Sequence, residues 1–341
     1  MNLPLLRVVG KHSKPAKTEQ RSQWEDLADT SPKDKPWDVH RSQADGVGEH
    51  LTSPGTERAL WKQGKRMEEC APWLSFAMKA TVDTGEISLK LANAKFCRVR
   101  YCPVCQWRRS LMWKARFYQA LPAIVEKQKS GRWLFLTLTM RNGPVSELRE
   151  QLKAMGKGWD RLCKKKEFAD IAGWIRSTEI TRGKDGSAHP HFHVLILAKS
   201  TYFKHGHYIS TARWVQAWRE AMRLDYDPVC DIRAIKANKE LAGELGESAA
   251  LAAAVAETLK YSVKPGDMLA DRDWFLEMVR QTHRTRAIAA GGLLRDALRV
   301  EDESQQDLLL GDEEKPPEEE APTLRFNYDK PTQKYRRKKG G

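Results

Sequence analysis

The chain has 341 residues, 40% hydrophobic and 30% charged, which is enough for one large core plus a smaller module, or for two domains. It contains no apolar run of about 18 residues, which excludes a membrane-spanning helix. The net charge is +14, but residues 301–320 hold ten acidic residues and one lysine, which leaves +23 on the other 321 residues. Such a basic body is typical of a nucleic-acid binder, and charge that serves only solubility is the alternative.

The two ends of the chain are polar. Residues 1–60 are rich in Ser, Pro, Lys and Asp without a sustained apolar period, so we predict that they are disordered. The opening MNLPLLRVVGKHSKPAK has its charges after a very short apolar run, the reverse of a secretory signal, which favours a cytoplasmic protein. Residues 296–341 contain the acidic stretch EDESQQDLLLGDEEKPPEEEAP, which we predict to be a flexible tail, and end in the basic KYRRKKGG, which we predict to be an auxiliary phosphate-binding or solubilising arm.

Residues 61–125 contain four of the six cysteines, and we predict a zinc-binding, DNA-contacting module. Cys97, Cys102 and Cys105 form C-x4-C-x2-C in CRVRYCPVCQWRR, and Cys70 lies upstream. Four thiolates suit tetrahedral zinc in a structural site, because no ligand position stays open for catalysis. The alternative is that Cys70 is a buried apolar thiol and the other three bind nothing.

The basic, aromatic flank of the cysteine cluster can follow a DNA backbone. Its candidate DNA-binding residues are Arg98, Arg100, Arg108, Arg109 and Lys114. A solvated amphipathic helix face is the alternative interpretation.

Residues 126–295 alternate between strand-like and helix-like blocks and are predicted to form a second domain. Strands are predicted over 132–140, 171–181, 189–198 and 229–236, and helices over 145–168, 211–224 and 247–263, with Thr211 as an N-cap. The order β-α-β-β-α-β followed by a helix matches a ferredoxin-like antiparallel sheet with packed helices. The predicted fold class is therefore α+β.

The segment HPHFHVLIL, residues 189–197, places histidines at alternate positions of a strand. His191 and His193 therefore face the same side, and a hairpin turn can bring Glu179 of the preceding strand onto that face. Two imidazoles and one carboxylate suit Mn²⁺ or Mg²⁺ that engages a phosphate, whereas two structural histidines are the alternative. His189 precedes a proline, so we expect it ahead of the strand, supporting the site or contacting DNA.

A third cluster lies in ETLKYSVK, residues 257–264. On a helix, Glu257 and Tyr261 are four residues apart and Lys264 follows three residues later, so all three share one face. Taken alone, such a face is as compatible with solvent exposure as with catalysis.

Three segments resemble the successive motifs of HUH endonucleases: FLTLT (135–139), HPHFHVL (189–195) and KYSVK (260–264). The chain is similar in particular to the initiators of plasmids that replicate by the rolling-circle mechanism, and its cysteine segment resembles the upstream region of that group. The resemblance covers residues 60–265. It implies the HUH nuclease fold and a metal-dependent enzyme that nicks and rejoins single-stranded DNA.

The resemblance also implies roles for the site residues. His191 and His193 hold a divalent metal with Glu179 as third ligand, and Tyr261 attacks the scissile phosphate to form a 5′-phosphotyrosine and free a 3′-hydroxyl primer. Glu257 resembles a glutamate that activates water to end the cycle, and Lys264 steadies the phosphate or the phenolate. The implied partners are plasmid origin DNA, as a single-stranded or hairpin nick site plus a duplex binding site, and host helicase and polymerase.

Two other interpretations stay open. A single-tyrosine transposase or a relaxase shares the fold, although such transposases lack an upstream cysteine module and relaxases more often carry a third histidine in the metal motif. From a different class, a non-catalytic zinc-containing regulator could bind DNA without cutting it.

Overall fold

A computed structural model describes residues 23–80, 87–235, 249–260, 262–296, 303–309 and 322–339, which form two five-stranded antiparallel sheets. The strands are β1 (Trp24–Asp26), β2 (Trp73–Ala80), β3 (Ile87–Ala94), β4 (Arg132–Thr139), β5 (Ile171–Arg182), β6 (Ala188–Ala198), β7 (Cys230–Ala234), β8 (Ile288–Gly292), β9 (Thr323–Asp329) and β10 (Lys334–Lys338). The helices are α1 (Leu27–Thr30), α2 (Pro36–Thr52), α3 (Arg58–Glu68), α4 (Pro103–Lys127), α5 (Leu148–Leu162), α6 (Thr211–Met222), α7 (Ala249–Thr258), α8 (Pro265–Ala270), α9 (Arg272–Gln281) and α10 (Gln305–Leu309).

The central sheet has the strand order β7-β4-β6-β5-β8. Its first four strands in the chain are those predicted from the sequence, and α5 and α6 lie between them as predicted. The expectation of an α+β chain with an antiparallel sheet is therefore confirmed. The edge strand β8 was not predicted, because its sequence IAAGG lacks the alternation of large apolar and polar residues that signals a strand.

Helices cover both faces of the central sheet. On one face, Phe192 of β6 packs against Trp159 of α5 and Trp218 of α6. On the other, Leu195 of β6 belongs to a core shared with Phe117 of α4 and with α7. Because successive residues of a strand point to opposite faces, the odd-numbered residues of β6, including both predicted metal-binding histidines, face α4 and α7.

The second sheet joins the two ends of the chain in the order β1-β10-β9-β2-β3. Trp24 of β1 pairs with Lys338 of β10, and Trp37 of α2 is buried in a core that also contains Tyr335. The prediction of disorder is therefore wrong for residues 23–60. The prediction of a flexible tail is wrong for residues 303–309 and 322–339, whereas residues 1–22, 297–302, 310–321 and 340–341 lie outside the described residues.

The same core surrounds the cysteines. It contains Cys70, Cys97, Cys102 and Cys105 together with residues of α2, α8, α9, α10 and β9. The predicted module 61–125 is therefore completed by chain segments from outside its bounds. Each large apolar side chain buried in this way contributes about 1.5–3 kcal/mol to the free energy of unfolding, which explains why residues 23–60 and 322–339 are ordered.

Three helices differ from the prediction at their ends, and α5 spans Leu148–Leu162 instead of 145–168. The N-cap of α6 is Ser210, whose Oγ accepts a hydrogen bond from the backbone N–H of Arg213 at 3.2 Å, and Thr211 is the first helical residue. Helix α7 ends at Thr258, not at residue 263. Beyond it the chain runs along β5, since the N–H of Ile180 donates to the carbonyl of Ser262 at 2.8 Å. Across the described ranges, we find no helix with the length and apolar character needed to cross a bilayer.

Candidate metal centre and nucleic-acid interface

The hairpin of β5 and β6 brings the predicted metal ligands together. Glu179 of β5 lies directly opposite His191 of β6, and all three candidate ligands, with His193, face α4 and α7. The register is set by the turn between the strands, where Gly186 has a φ of +80° that favours glycine. Glu179, His191 and His193 are only 2%, 9% and 7% exposed.

One carboxylate oxygen is the centre of the cluster. Glu179 Oε2 lies 3.0 Å from His191 Nε2, 2.9 Å from His193 Nε2 and 2.8 Å from the Lys260 ammonium. Glu257 completes the group from α7, because its Oε1 lies 2.6 Å from Lys260 Nζ and 3.5 Å from His193 Nε2. Two strands and the end of a helix thus supply two carboxylates, two imidazoles and one ammonium within direct contact.

The far side of each imidazole is held by the protein. His193 Nδ1 lies 3.3 Å from Thr137 Oγ1, and the ring stacks on Phe135 with centroids 5.5 Å apart. His191 Nδ1 lies 3.3 Å from the carbonyl oxygen of His189. Both Nε2 atoms are therefore directed at Glu179, the kind of support that orients histidine ligands at metal centres.

The charges of the cluster stabilise one another. Burial raises the pKa of Glu179, but hydrogen bonds with His191, His193 and Lys260 outweigh this effect and hold its pKa well below its ordinary value. Burial lowers the pKa of Lys260, yet the carboxylates of Glu179 and Glu257 raise it above its ordinary value. At neutral pH the cluster therefore holds a carboxylate and an ammonium side by side.

The donor atoms fit a divalent cation. The ligand atoms of Glu179, His191 and His193 all lie within 4.8 Å of one another. Glu179 Oε1 is buried without a hydrogen-bond partner among the described residues, so one strong acceptor remains for a cation. Two imidazole nitrogens and a carboxylate are a ligand set that Mn²⁺ and Mg²⁺ accept while leaving positions for water or phosphate.

The helical face predicted from ETLKYSVK is not formed. Lys264 is exposed and precedes α8, whereas Glu257 lies in the last turn of α7, so the two do not share a helix. The lysine that contacts the site is Lys260. Tyr261 lies outside the described residues, between Lys260 and Ser262.

His189 lies within β6, opposite Thr181 of β5, so the expectation that it precedes the strand is wrong. Pro190 is tolerated because it lies beyond Thr139, the last residue of β4 to pair with β6, where no ladder hydrogen bond is required from its nitrogen. Burial, together with the neighbouring His191, lowers the pKa of His189. A neutral ring beside the cluster results.

The four predicted zinc ligands converge in the other core. Cys105 Sγ lies 3.6 Å from the sulfurs of Cys70 and Cys97, and Cys102 Sγ lies 3.6 Å from that of Cys70. Tetrahedral zinc with Zn–S bonds of about 2.3 Å requires sulfurs at about this separation. All four cysteines are buried and none forms a disulfide. Four deprotonated sulfurs at this spacing would repel one another, and a shared cation would neutralise them.

Three of the predicted DNA-binding arginines line one cavity of about 360 Å³, namely Arg98, Arg100 and Arg109. The Arg109 guanidinium forms a forked ion pair with the Glu303 carboxylate at 2.5 and 2.8 Å. Arg98 donates to the Glu303 carbonyl at 2.8 Å. The cavity also reaches Lys260, so it adjoins the metal cluster.

The other two predicted DNA-binding residues lie elsewhere on α4. Arg108 is 6% exposed and donates to the carbonyls of Leu308 and Leu309 at 2.8 and 2.9 Å, so it is not available to DNA in this structure. Lys114 is half-buried and does not line the cavity.

Three residues of this region were not predicted from the sequence: Lys260, Arg286 and Glu303. Lys260 stands three residues after Glu257, a spacing that predicts an ion pair on a helix and could have identified it. Arg286 and Glu303 lie in segments with no motif, and only the tertiary structure brings them to the cavity.

Comparison with known proteins agrees with the geometry. Residues 88–336 match the family described as replication protein, which extends the resemblance through β10. A protein named Protein rep from Lentilactobacillus hilgardii is 36% identical over 281 residues, covering 79% of this chain and 84% of the relative. Protein rep from Lactiplantibacillus plantarum is 39% identical over 239 residues, covering 66% and 74%. No solved structure matches. The chain therefore belongs to the replication-protein family of rolling-circle plasmid initiators.

Proposed function

We propose that this initiator nicks one strand of its plasmid origin through Tyr261 and later rejoins the strand. The observation that carries the proposal is the buried cluster of Glu179, His191 and His193, with Lys260 in contact with it immediately before position 261. The antiparallel strand order β7-β4-β6-β5, with helices on both faces, supports an HUH nuclease fold for this domain.

The proposed reaction is a phosphoryl transfer. The phenolate oxygen of Tyr261 forms a bond to the scissile phosphorus, the bond from phosphorus to the 3′ oxygen breaks, and that oxygen takes a proton. The product is a 5′-phosphotyrosine and a free 3′-hydroxyl, and a phenol with a pKa of about 10 serves both as nucleophile and as leaving group. Glu179, His191 and His193 would hold Mn²⁺ or Mg²⁺, which stabilises charge on the phosphoryl oxygens when bound.

Lys260 takes the role that the resemblance to HUH endonucleases implies for Lys264. Its ammonium is only partly exposed and keeps its charge between Glu179 and Glu257. An ammonium at this position can hold a phosphate oxygen or stabilise the phenolate of its chain neighbour, because both carry negative charge.

The partners follow from initiation at an origin. As an initiator the protein binds plasmid origin DNA, and we propose a single-stranded or hairpin nick site together with a duplex binding site. The duplex site would be contacted by the basic region whose four clustered cysteines would hold zinc. A nick that leaves a 3′-hydroxyl also requires host helicase and polymerase to extend it.

The proposal is tested with supercoiled DNA that carries the cognate origin. With added Mn²⁺ or Mg²⁺ we expect relaxation at one site, a free 3′ end, and protein attached to the 5′ end, mapped by primer extension and denaturing gels. Without added divalent metal we expect binding but no nick. A wild-type protein that never forms the adduct would contradict the proposal.

Glu257→Gln should still nick the origin but terminate poorly. Glu257 lies near His193 and is 43% exposed, so its carboxylate can accept a proton from the water that ends the cycle, whereas glutamine cannot. We expect first-strand nicking within a fewfold of wild type and at least a tenfold loss of closed single-stranded product, an effect typical of a missing general base.

The matched control is Glu277→Gln, which likewise breaks an ion pair with a basic residue three positions later, Arg280, but lies on α9. It should terminate normally. Complete loss of first-strand nicking in Glu257→Gln would show that Glu257 acts in the first step and that its assigned role is wrong.

A further inference from the structure

The arginine-lined cavity lies beside the candidate metal centre, because Lys260 lines it and contacts Glu179. Its charged lining consists of four arginines and one lysine against a single carboxylate: Arg98, Arg100, Arg109, Arg286, Lys260 and Glu303. Trp113, Leu259 and Ile288 supply an apolar wall. Guanidinium groups beside apolar and aromatic surface form the kind of site that holds a nucleotide, with the phosphate on the charges and the sugar and base on the wall.

Arg109 binds the carboxylate of Glu303 in the geometry in which arginine binds a phosphate. Two nitrogens of Arg109 donate to the two oxygens of Glu303 at 2.5 and 2.8 Å, the forked geometry that arginine uses for carboxylates and phosphates alike. Glu303 belongs to the segment 303–309. A second ion pair binds this segment to α4, because Arg116 contacts Asp307 at 2.6 Å. An acidic segment of the chain itself therefore neutralises part of the basic cavity.

The cavity is continuous with the metal cluster. Lys260 lines it and also contacts Glu179 at 2.8 Å, and Ser177, two residues before Glu179 on the same face of β5, lines it as well. Arg286 adds a positive charge with no carboxylate partner among the described residues. A strand whose phosphate lies at Glu179 and the two histidines would therefore place a neighbouring nucleotide in the cavity.

We propose that this cavity binds the nucleotide next to the scissile phosphate of single-stranded DNA, and that the Glu303 carboxylate occupies the phosphate position until DNA displaces it. The inference rests on the proposed function, because the strand must pass the metal cluster. Glu303 then competes with the DNA phosphate for the arginines of the cavity. A ligand that binds the cavity weakly cannot displace it.

The first test measures the binding of a labelled oligothymidylate by fluorescence anisotropy, without added Mg²⁺ or Mn²⁺ so that no strand is cut. Glu303→Gln should bind at least about threefold more tightly than wild type, as expected when a partly buried ion pair no longer competes. The control is Glu220→Gln, which likewise removes an ion-paired carboxylate, here one with the two partners Lys165 and Arg213, but lies on α6 across the sheet.

The second test removes a cavity cation. Arg286→Gln should weaken binding and reduce the slope of log affinity against log salt by about 0.7, the value for one phosphate contact of a single strand. The control, Arg219→Gln, removes an arginine of α6 that pairs with Asp227, and it should leave the slope unchanged.

The proposal is overturned if Glu303→Gln and Glu220→Gln change binding equally, or if Arg286→Gln has no more effect than Arg219→Gln. These results are separable from the nicking reaction. If the cavity variants behave as expected but origin DNA is never cut, the cavity binds a nucleotide of single-stranded DNA and the proposed catalysis fails. If origin DNA is cut and the variants bind like wild type, the catalysis stands and the cavity assignment fails.

Discussion

Tyr261→Phe should bind origin DNA as tightly as wild type but lose nicking by about a thousandfold or more, the scale seen when a catalytic nucleophile is removed. Phenylalanine keeps the ring and loses only the hydroxyl, so shape and charge at the site are unchanged. The neighbours of Tyr261 support its role, because Lys260 contacts Glu179 and the carbonyl of Ser262 is held by Ile180 of β5. Nicking is measured on supercoiled origin DNA, and binding on the same DNA without added metal.

The control is Tyr208→Phe, which removes a hydroxyl from a side chain that is 62% exposed just ahead of α6. It should nick and form the covalent adduct at the wild-type rate. If Tyr261→Phe retains the adduct, another residue is the nucleophile. Absence of the adduct in the wild-type protein, with Mn²⁺ present, supports a regulator that binds DNA without cutting it.

Cys105→Ser should abolish stoichiometric zinc binding and destabilise the chain. Cys105 Sγ is in contact with the sulfurs of Cys70 and Cys97, so its loss opens the site at its centre. We expect the free energy of unfolding to fall by at least about 3 kcal/mol, a minor part of the roughly 10–16 kcal/mol that structural zinc contributes in small modules. Metal content is measured by elemental analysis, and stability by denaturant unfolding.

The control is Cys230→Ser, on β7, which lies outside the cluster. Burial raises the pKa of Cys230 to about 12. This variant should retain its zinc. If purified wild-type protein contains no zinc and does not change its stability with a chelator, the four cysteines form only an apolar cluster and the zinc proposal is wrong.

Both proposed metal centres were predictable because the information is local. His191 and His193 are two residues apart on one strand, and Glu179 is carried by the strand joined to theirs through a short turn, so alternation alone places them on one face. The cysteine spacing in CRVRYCPVCQWRR is equally local. Cys70 is 27 residues from Cys97, so the spacing of the cysteines does not by itself predict that Cys70 is the fourth ligand.

The errors arose where distant contacts overrode a local pattern. The Ala-rich and Leu-rich sequence before residue 258 predicts a helix that continues, yet backbone pairing with β5 draws residues 262 and 263 away from it. Because α7 ends at Thr258, the lysine that contacts the metal cluster is Lys260 and not Lys264. The N-cap of α6 is a local ambiguity instead, because Ser210 and Thr211 satisfy the same residue preference and Ser210 takes the position.

By itself the sequence determined the antiparallel central sheet, the alternation of its strands with α5 and α6, the histidine pair and the clustered cysteines. Only the tertiary structure decided that the two ends of the chain pair as β1 and β10, that Lys260 joins Glu179 and Glu257, and that Glu303 enters the arginine cavity. The physical reason is the sequence separation of the interacting residues. The periodicity of a strand or helix extends over a few residues, whereas the ion pair of Arg109 with Glu303 joins side chains 194 positions apart. No local pattern records such a contact.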